Sequence, residues 1–155
     1  MKQSQLIGLY KEHAASQLLQ QSLIDNPKSK IHFKGLVGSQ DVLLAANISK
    51  EIKRPHLFIL SDKEEAAYFL NDLESILQKE VLFFPGSYRR PYQIEETDNA
   101  NVLLRAEVLN NLNHQRYPII VSYPEALFEK VVSQKHLKQN SLDVKRGETL
   151  SIDFL

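Results

Sequence analysis

The sequence predicts an α/β fold, a three-layer sandwich built around a mainly parallel sheet. Short apolar segments typical of strands alternate with longer segments whose apolar residues recur every three or four positions, as in amphipathic helices. Two of the apolar segments, 57–60 and 81–84, contain no alternating polar residues, which is expected of parallel strands covered on both faces. Right-handed crossovers between such strands place helices on both sides of the sheet.

The first segment, 3–24, is predicted to form one amphipathic helix. Its pattern of apolar residues ends before Asn26-Pro27, where a helix is expected to stop. We therefore assign residues 1–30 to an N-terminal helical region. The residues that define its apolar stripe are Ile7, Tyr10, Ala14 and Leu18.

From residue 31 onward, strand and helix patterns alternate in four pairs. The predicted strands are 31–33, 56–60, 81–84 and 119–121. The helices that follow them are predicted at 41–53, 63–78, 98–113 and 124–132. The residues expected to form the buried stripes of the first two of these helices are Leu44, Ile48 and Ile52, and Ala66, Leu70, Leu73 and Leu77.

These four pairs define one domain, 31–133. Residues 134–155 are expected to be a linker followed by the start of a second small domain, cut within a larger protein. Within them we expect a short strand at 142–145, a turn at 146–148 and the first residues of a capped helix at 151–155. No internal repeat accompanies this organisation.

The composition limits the classes of function. Lys plus Arg and Asp plus Glu balance at 19 each, which argues against strong nonspecific nucleic-acid binding, because that affinity comes mostly from neutralising phosphates. The chain contains no cysteine, so it can form neither a disulfide nor a thiolate metal site, and a cytoplasmic location is expected. No apolar run approaches the roughly 20 residues that a membrane span needs.

The segment 34–42 has the spacing of a phosphate-binding loop without its chemistry. Such a loop reads G-x-x-x-x-G-K-[ST], where the lysine reaches the terminal phosphates and the hydroxyl holds Mg²⁺. Aligned on Gly35, the second glycine is replaced by Gln40, the lysine by Asp41 and the hydroxyl residue by Val42. A carboxylate beside a polyphosphate repels it, so we predict no ATP site. The degenerate loop comprises Gly35, Gly38, Ser39, Gln40, Asp41 and Val42.

The simpler interpretation of this loop is a tight turn between a strand and a helix. Gly35 and Gly38 would supply the turn, and Ser39 or Asp41 would accept hydrogen bonds from free N–H groups at the helix start. Residual anion binding by the same backbone is the alternative.

Other groupings favour structural roles. Asp62, Glu64 and Glu65 directly follow a predicted strand and fit a helix cap and first turn better than paired catalytic carboxylates. None of the serines at strand ends lies in a G-x-S-x-G hydrolase motif. The five histidines have no ligand spacing, so no metal site is predicted. The segment 88–92, Tyr-Arg-Arg-Pro-Tyr, could contact nucleic acid or cap the sheet edge within a longer protein.

Several segments in a fixed order resemble one protein family. They are Gly35-Leu36-Val37-Gly38-Ser39, Ser61-Asp62-Lys63-Glu64-Glu65-Ala66, the stretch from Phe84-Pro85 to Pro91-Tyr92, Asp98 with Arg105, and Val121-Ser122-Tyr123-Pro124-Glu125-Ala126-Leu127. From about residue 31 to the end, the chain resembles the amino-terminal, UvrB-like region of the bacterial transcription-repair coupling factors (Mfd), comprising domain 1a and the start of domain 2. In helicase terms the degenerate loop is followed by segments similar to motifs Ia and Ib.

The resemblance implies a noncatalytic module with a degenerate P-loop NTPase fold. In the family, RNA polymerase stalled at a lesion is released by an ATP-driven DNA translocase in other domains, where ATP and Mg²⁺ bind. The amino-terminal module recruits the excision-repair protein UvrA and contributes autoinhibitory contacts within the full protein. The family's UvrA-contacting surface lies chiefly beyond this piece, so no docking residue, catalytic residue, cofactor or metal ligand is assigned to the chain.

Two competing hypotheses remain open. The chain could be a nucleotide- or DNA-binding helicase-like lobe that still holds phosphate through the backbone amides of Gly38 and Ser39. It could also be an unrelated flavodoxin-like or receiver-like binding domain, although a receiver needs several clustered acids at strand ends and a lysine, which Asp62 alone does not supply.

Overall fold

The computed structural model describes residues 3–87, 98–114, 117–131, 133 and 147. In chain order, the helices of this part are α1 (Gln3–Glu12), α2 (Ala14–Asp25), α3 (Gln40–Glu51), α4 (Lys63–Leu77), α5 (Asn99–His114) and α6 (Pro124–Phe128). The strands are β1 (His56–Ile59), β2 (Leu82–Phe84) and β3 (Ile119–Ser122). None of the helices in these residues is long and apolar enough to cross a membrane.

The strands form a three-stranded parallel sheet in the order β1-β3-β2. The central strand β3 is buried along its whole length, as its run of Ile-Ile-Val predicts for a strand with neighbours on both sides. Its Val121 lies in register with Phe58 of β1 and Phe83 of β2. The prediction of an α/β fold with a parallel sheet is therefore confirmed.

Helices lie on both faces of this sheet. Phe58 packs against Phe69 of α4, with ring centroids 5.4 Å apart, which places α4 on the face of Phe58. The Arg105 side chain of α5 lies over the ring of Phe84, which is in register with Ser122 and hence with Ile59 on the opposite face. The topology requires this arrangement, since the chain crosses from β1 to β2 and then returns to β3, and right-handed crossovers in opposite directions use opposite faces.

The N-terminal helices form a further layer outside α4. Helix α3 packs against α4, and α1 and α2 pack against α3. Polar contacts reinforce this packing: Arg54 donates to the carbonyl oxygen of Leu23 at 3.0 Å, and Lys11 pairs with Glu51 at 2.8 Å.

The prediction of one continuous helix over 3–24 is wrong, because the helix is interrupted at His13. The backbone of His13 has a ψ of 131°, outside the helical range, and its Nδ1 accepts a hydrogen bond from the N–H of Ala15 at 3.2 Å. The imidazole therefore caps α2, which starts as a separate helix. The apolar periodicity continues across the break, and for this reason the pattern alone does not reveal it.

The predicted strand at 31–33 is also wrong. This segment has no regular structure, and Ile31 and His32 are exposed. Three apolar-polar-apolar residues can contribute few ladder bonds, so they need a neighbouring strand edge, and none of the described strands pairs with them. As a consequence, the glycine-rich turn does not follow a strand.

Burial of β1 and α3 departs from expectation as well. Leu57 and Ile59 are 50% and 54% exposed, because among the described helices only α4 covers β1, and it lies on one face. In α3, Ile52 is buried as predicted, but Leu44 and Ile48 are only partly buried. The reason is that α3 packs on two sides, so its buried residues are spread around the helix: Val42, Leu43, Ala45, Ala46, Asn47 and Ser49.

The remaining predicted elements within the described residues are confirmed to within one or two residues, except that α6 ends at Phe128 rather than at 132. On α4, Ala66, Leu73 and Leu77 are buried as predicted and Leu70 is partly buried against the core. The segment 88–97 and, apart from Gly147, the predicted second-domain start at 134–155 lie outside the described residues.

Candidate functional site

The degenerate loop forms the tight turn that its glycines predict. Gly35 and Gly38 have φ angles of +76° and +58°, a region that other L-residues rarely adopt. Between them, the N–H of Val37 donates to Oε1 of Gln40 at 3.0 Å, which ties the turn to the first residue of α3. Gln40, in place of the loop's second glycine, thus fills part of the turn with its own side chain.

One backbone N–H group at the start of α3 is satisfied by a side chain of the helix itself. Asp41, at the position of the phosphate loop's lysine, accepts a hydrogen bond at Oδ1 from the N–H of Val42 at 2.7 Å. Ser39 is the N-cap residue but makes no side-chain capping bond. The sequence predicts that Ser39 or Asp41 accepts a hydrogen bond from a free N–H group here. The prediction for Asp41 is confirmed and the prediction for Ser39 is wrong. A carboxylate therefore occupies the place at which a phosphate would approach the helix.

A cavity of about 220 Å³ lies beside this turn, between the starts of α3 and α4 and next to the carboxyl end of β1. Its lining includes three carboxylate side chains, those of Asp41, Glu65 and Asp72. A polyphosphate placed there would meet repulsion from each of them, about 4 kcal/mol per unit-charge pair at 4 Å in a partly screened site. Among the described residues, no group of three or more His, Asp or Glu side chains could hold a metal ion.

The acidic residues after β1 have structural roles. Asp62 caps α4 by accepting the N–H of Glu65 at 2.8 Å, as its position in the sequence predicts. Glu65 in turn lies 3.4 Å from the N–H of Ser61. Both carboxylates thus accept backbone N–H groups around the start of α4, which is a capping arrangement rather than a catalytic pair. Ser122 is fully buried and donates to the carbonyl oxygen of Phe84 at 2.8 Å, which leaves it no nucleophilic role.

A larger cavity, of about 450 Å³, lies among α1, α2, the turn and α3, and its lining is mostly apolar. No sequence pattern predicts this cavity, because it depends on the helix break at His13 and on the irregular course of 31–37. The residues that line it are Leu9, Tyr10, His13, Ala15, Ser16, Phe33, Leu36, Gln40 and Leu44.

A polar network joins the loops that follow β2 and β3. The N–H of Gly86 donates to Oη of Tyr123 at 2.8 Å, and the amide nitrogen of Asn101 donates to the carbonyl oxygen of Gly86 at 2.9 Å. The N–H of Asp98 donates to the carbonyl oxygen of Ser87 at 2.8 Å. Both loops are therefore fixed against the start of α5.

Glu129, just after α6, is the acceptor at the centre of this network. The N–H of Ser87 lies 2.9 Å and 2.8 Å from its two carboxylate oxygens, and the Ser87 hydroxyl donates to Oε2 at 2.6 Å. The side chain reaches Ser87 because α6 ends at Phe128, and Glu129 takes an extended backbone with φ −70° and ψ 137°. This bond between residues 42 positions apart explains why α6 is shorter than predicted.

Arg105 provides the positive charge that pairs with Glu129 in this network. Its side chain is buried, with the whole residue 6% exposed, and it donates to the carbonyl oxygens of Pro85 at 2.7 Å and Ala126 at 3.0 Å. It also pairs with Oε2 of Glu129 at 3.5 Å and lies 4.1 Å from the centre of the Phe84 ring. The segments that carry the family resemblance include both Arg105 and Tyr123, but Glu129 lies outside them and no sequence pattern predicts its role.

The network changes the ionisation of Tyr123. Burial raises the pKa of its phenol above 10.0, and the nearby carboxylates of Glu129 and Glu125 raise it further. The hydrogen bond from Gly86 and the charge of Arg105 act in the opposite direction on this pKa without overcoming burial. The phenol is therefore held neutral.

The basic and aromatic segment at 88–92 lies outside the described residues, and Ser87 is the last described residue before it. A scan of protein-family models, a search of curated proteins and a search of solved structures found no match to the chain. Two candidate sites stand out among the described residues: the glycine turn with its acidic cavity, and the network around Arg105.

Replacing Gly86 by Ala should displace Glu129. The added Cβ would lie 2.9 Å from Oε1 of Glu129 and 3.3 Å from Oη of Tyr123, so the carboxylate must move. We expect a loss of roughly 1–3 kcal/mol in the free energy of unfolding, measured in urea. The matched control is Gly8→Ala in α1, where nothing lies within 4 Å and a gain of up to about 1 kcal/mol is expected. Equal effects of the two substitutions would contradict the crowding at Gly86.

Replacing Tyr123 by Phe should change how stability depends on pH. The folded state raises the pKa of this phenol, so its stabilisation is complete below about pH 10 and falls as the pH rises through the folded-state value. The variant should lose roughly 1–3 kcal/mol near neutral pH, because the N–H of Gly86 loses its acceptor. The difference between wild type and variant should then shrink above pH 10, as measured by urea unfolding. The control is Tyr68→Phe, which removes the hydroxyl of an exposed phenol. If the stability difference between wild type and Tyr123→Phe stayed constant from neutral pH to above pH 10, the raised pKa would be disproved.

Proposed function

We propose that the chain is the noncatalytic, UvrB-like amino-terminal module of a bacterial transcription-repair coupling factor. Its work is to recruit the UvrA excision-repair machinery and to make autoinhibitory contacts within the full-length, cytoplasmic protein. RNA polymerase and DNA are bound by other domains of that protein, and its translocase domains bind ATP and Mg²⁺.

The observation that carries the noncatalytic part of this proposal is the placement of Asp41. Its carboxylate stands where a motor domain has its lysine, it binds the backbone of its own helix, and it lines a cavity with Glu65 and Asp72. A motor needs a cation at this point to balance the charge of the terminal phosphates. The missing strand before the turn removes the strand-loop-helix context of a phosphate site as well.

The family assignment is supported by where the resembling segments lie. The segment 61–66, similar to helicase motif Ia, begins directly after β1, and the segment 121–127, similar to motif Ib, spans the end of β3 and α6. These strands are neighbours, and the N–H of Leu60 donates to the carbonyl oxygen of Ser122 at 3.0 Å. Ligands and partners of open α/β sheets commonly bind at this carboxyl edge. On this proposal the chain has a degenerate P-loop NTPase fold like that of UvrB domain 1a.

A helicase-like lobe with residual phosphate binding is the second candidate. The observation in its favour is that Gly35 and Gly38 keep positive φ angles, so the turn retains a shape in which backbone amides could face an anion. Asp41 and the acidic cavity argue against it, since the charge there has the wrong sign for a nucleotide.

Calorimetric titration with Mg-ATP distinguishes the two candidates. We expect no saturable heat for the wild type at millimolar nucleotide, because the carboxylates around the turn repel phosphates. Asp41→Asn removes one negative charge and keeps the acceptor oxygen. Binding heat that appears only in this variant would show that the charge of Asp41 keeps the nucleotide out of the wild type. A micromolar Kd for the wild type that is lost in Gly38→Ala would establish the second candidate instead.

The recruitment role is tested by retention of UvrA on immobilised protein. We expect the full-length protein to retain UvrA, and the chain of 155 residues to retain much less, because the family's docking surface lies chiefly beyond it. The control is the same full-length protein carrying Gly8→Ala, at a site where an added methyl touches nothing. Failure of the full-length protein to retain UvrA would refute the proposal.

A further inference from the structure

The network around Arg105 has the composition of an anion-binding site. A guanidinium, a backbone N–H and a hydroxyl converge on one carboxylate, at distances of 3.5, 2.8 and 2.6 Å from the same oxygen of Glu129. Charge-assisted donors of these kinds are those with which proteins bind carboxylate and phosphate ligands. Here the anion is supplied by the chain itself.

The donors are held in place by contacts other than Glu129. Arg105 is fixed by the carbonyl oxygens of Pro85 and Ala126 and by the ring of Phe84. Ser87 is fixed through its carbonyl oxygen by the N–H of Asp98. The positions of the donors are therefore set by β2, α5 and α6 rather than by the anion that they bind.

Glu129, in contrast, lies on an exposed segment, held by its carboxylate and by a long hydrogen bond of 3.5 Å from Nη2 of Arg105 to its backbone carbonyl oxygen. It is the first residue after α6, and its neighbours Phe128 and Lys130 are exposed, the first of them by 89%. Its own side chain remains 16% exposed, so solvent reaches the carboxylate. Movement of Glu129 would uncover no buried apolar residue of its own segment from 127 to 131, because those residues are exposed already.

We propose that Arg105 and Ser87 form an oxyanion-binding site, which the Glu129 carboxylate fills in the free chain and which an external carboxylate or phosphate group can occupy in its place. The exchange keeps the buried guanidinium compensated, because one anion replaces another. Glu125 and Asp98 are other described carboxylates near this network, and their repulsion of an external anion does not depend on whether Glu129 occupies the site. This inference is independent of the proposed function, since it requires neither UvrA nor nucleotide.

The test compares Glu129→Ala with Glu125→Ala. Both variants lose one negative charge, but only the first vacates the site. Acetate and inorganic phosphate are titrated at constant ionic strength against chloride, with the amide signals of Gly86 and Ser87 followed by NMR and the unfolding midpoint measured in parallel. We expect Glu129→Ala to bind at least one of the two anions saturably and to gain thermal stability with its concentration. Glu125→Ala should behave as the wild type does.

The wild type should show the same amide shifts only at about tenfold or more higher anion concentration, because the tethered Glu129 competes at a high effective concentration. Adding Ser87→Ala to Glu129→Ala should weaken the binding, since it removes the hydroxyl donor. Response to acetate alone or to phosphate alone would support the site and identify which oxyanion it prefers.

The proposal fails if Glu129→Ala binds neither anion better than Glu125→Ala, or if the Ser87→Ala addition leaves its affinity unchanged. A wild type that shows no shift even at the highest anion concentration would overturn the exchange. Should Glu129→Ala not fold in chloride, the readout becomes refolding: recovery of the native spectrum on adding acetate or phosphate supports the site, and no recovery disproves it.

Discussion

The arrangement of this domain depends on compensating one buried charge. A guanidinium that is removed from water requires acceptors and a counter-ion, and the described partners of Arg105 include the loop after β2, the last turn of α6 and Glu129. Satisfying this one residue thus fixes the two loops at the carboxyl edge of the sheet relative to each other. It also determines where α6 ends, because Glu129 has to leave the helix to reach Ser87.

The glycine turn has the spacing of a phosphate-binding loop, but the charged side chains that line the cavity beside it are acidic. The backbone of Gly35 and Gly38 bends into the start of a helix, while Gln40 and Asp41 bind the N–H groups of Val37 and Val42. Two backbone N–H groups of this segment are thus satisfied by side chains of the chain itself, beside a cavity lined by carboxylates.

Local sequence patterns predicted the helices and strands whose burial follows one regular pattern. The central strand β3 is covered on both faces, and α4 has one apolar stripe and an Asp62 cap, so composition and spacing were sufficient. They were insufficient where a distant contact decides the structure. The break at His13 is made by an imidazole acting as a cap, the exposure of Leu57 follows from which helices cover β1, and the role of Glu129 depends on a partner 42 residues away. None of these contacts has a periodic signature in the sequence.

The two glycines of the turn also have a consequence for how the chain tolerates mutation. Both are solvent-facing, and a side chain at either position would meet no atom within 4 Å, so packing places no limit on them. Their positive φ angles do limit the replacements, because most other residues are strained at such angles by about 1 kcal/mol or more. A saturation scan of the surface should therefore find Gly35 and Gly38 far less permissive than Val37 between them, with Asn the mildest replacement.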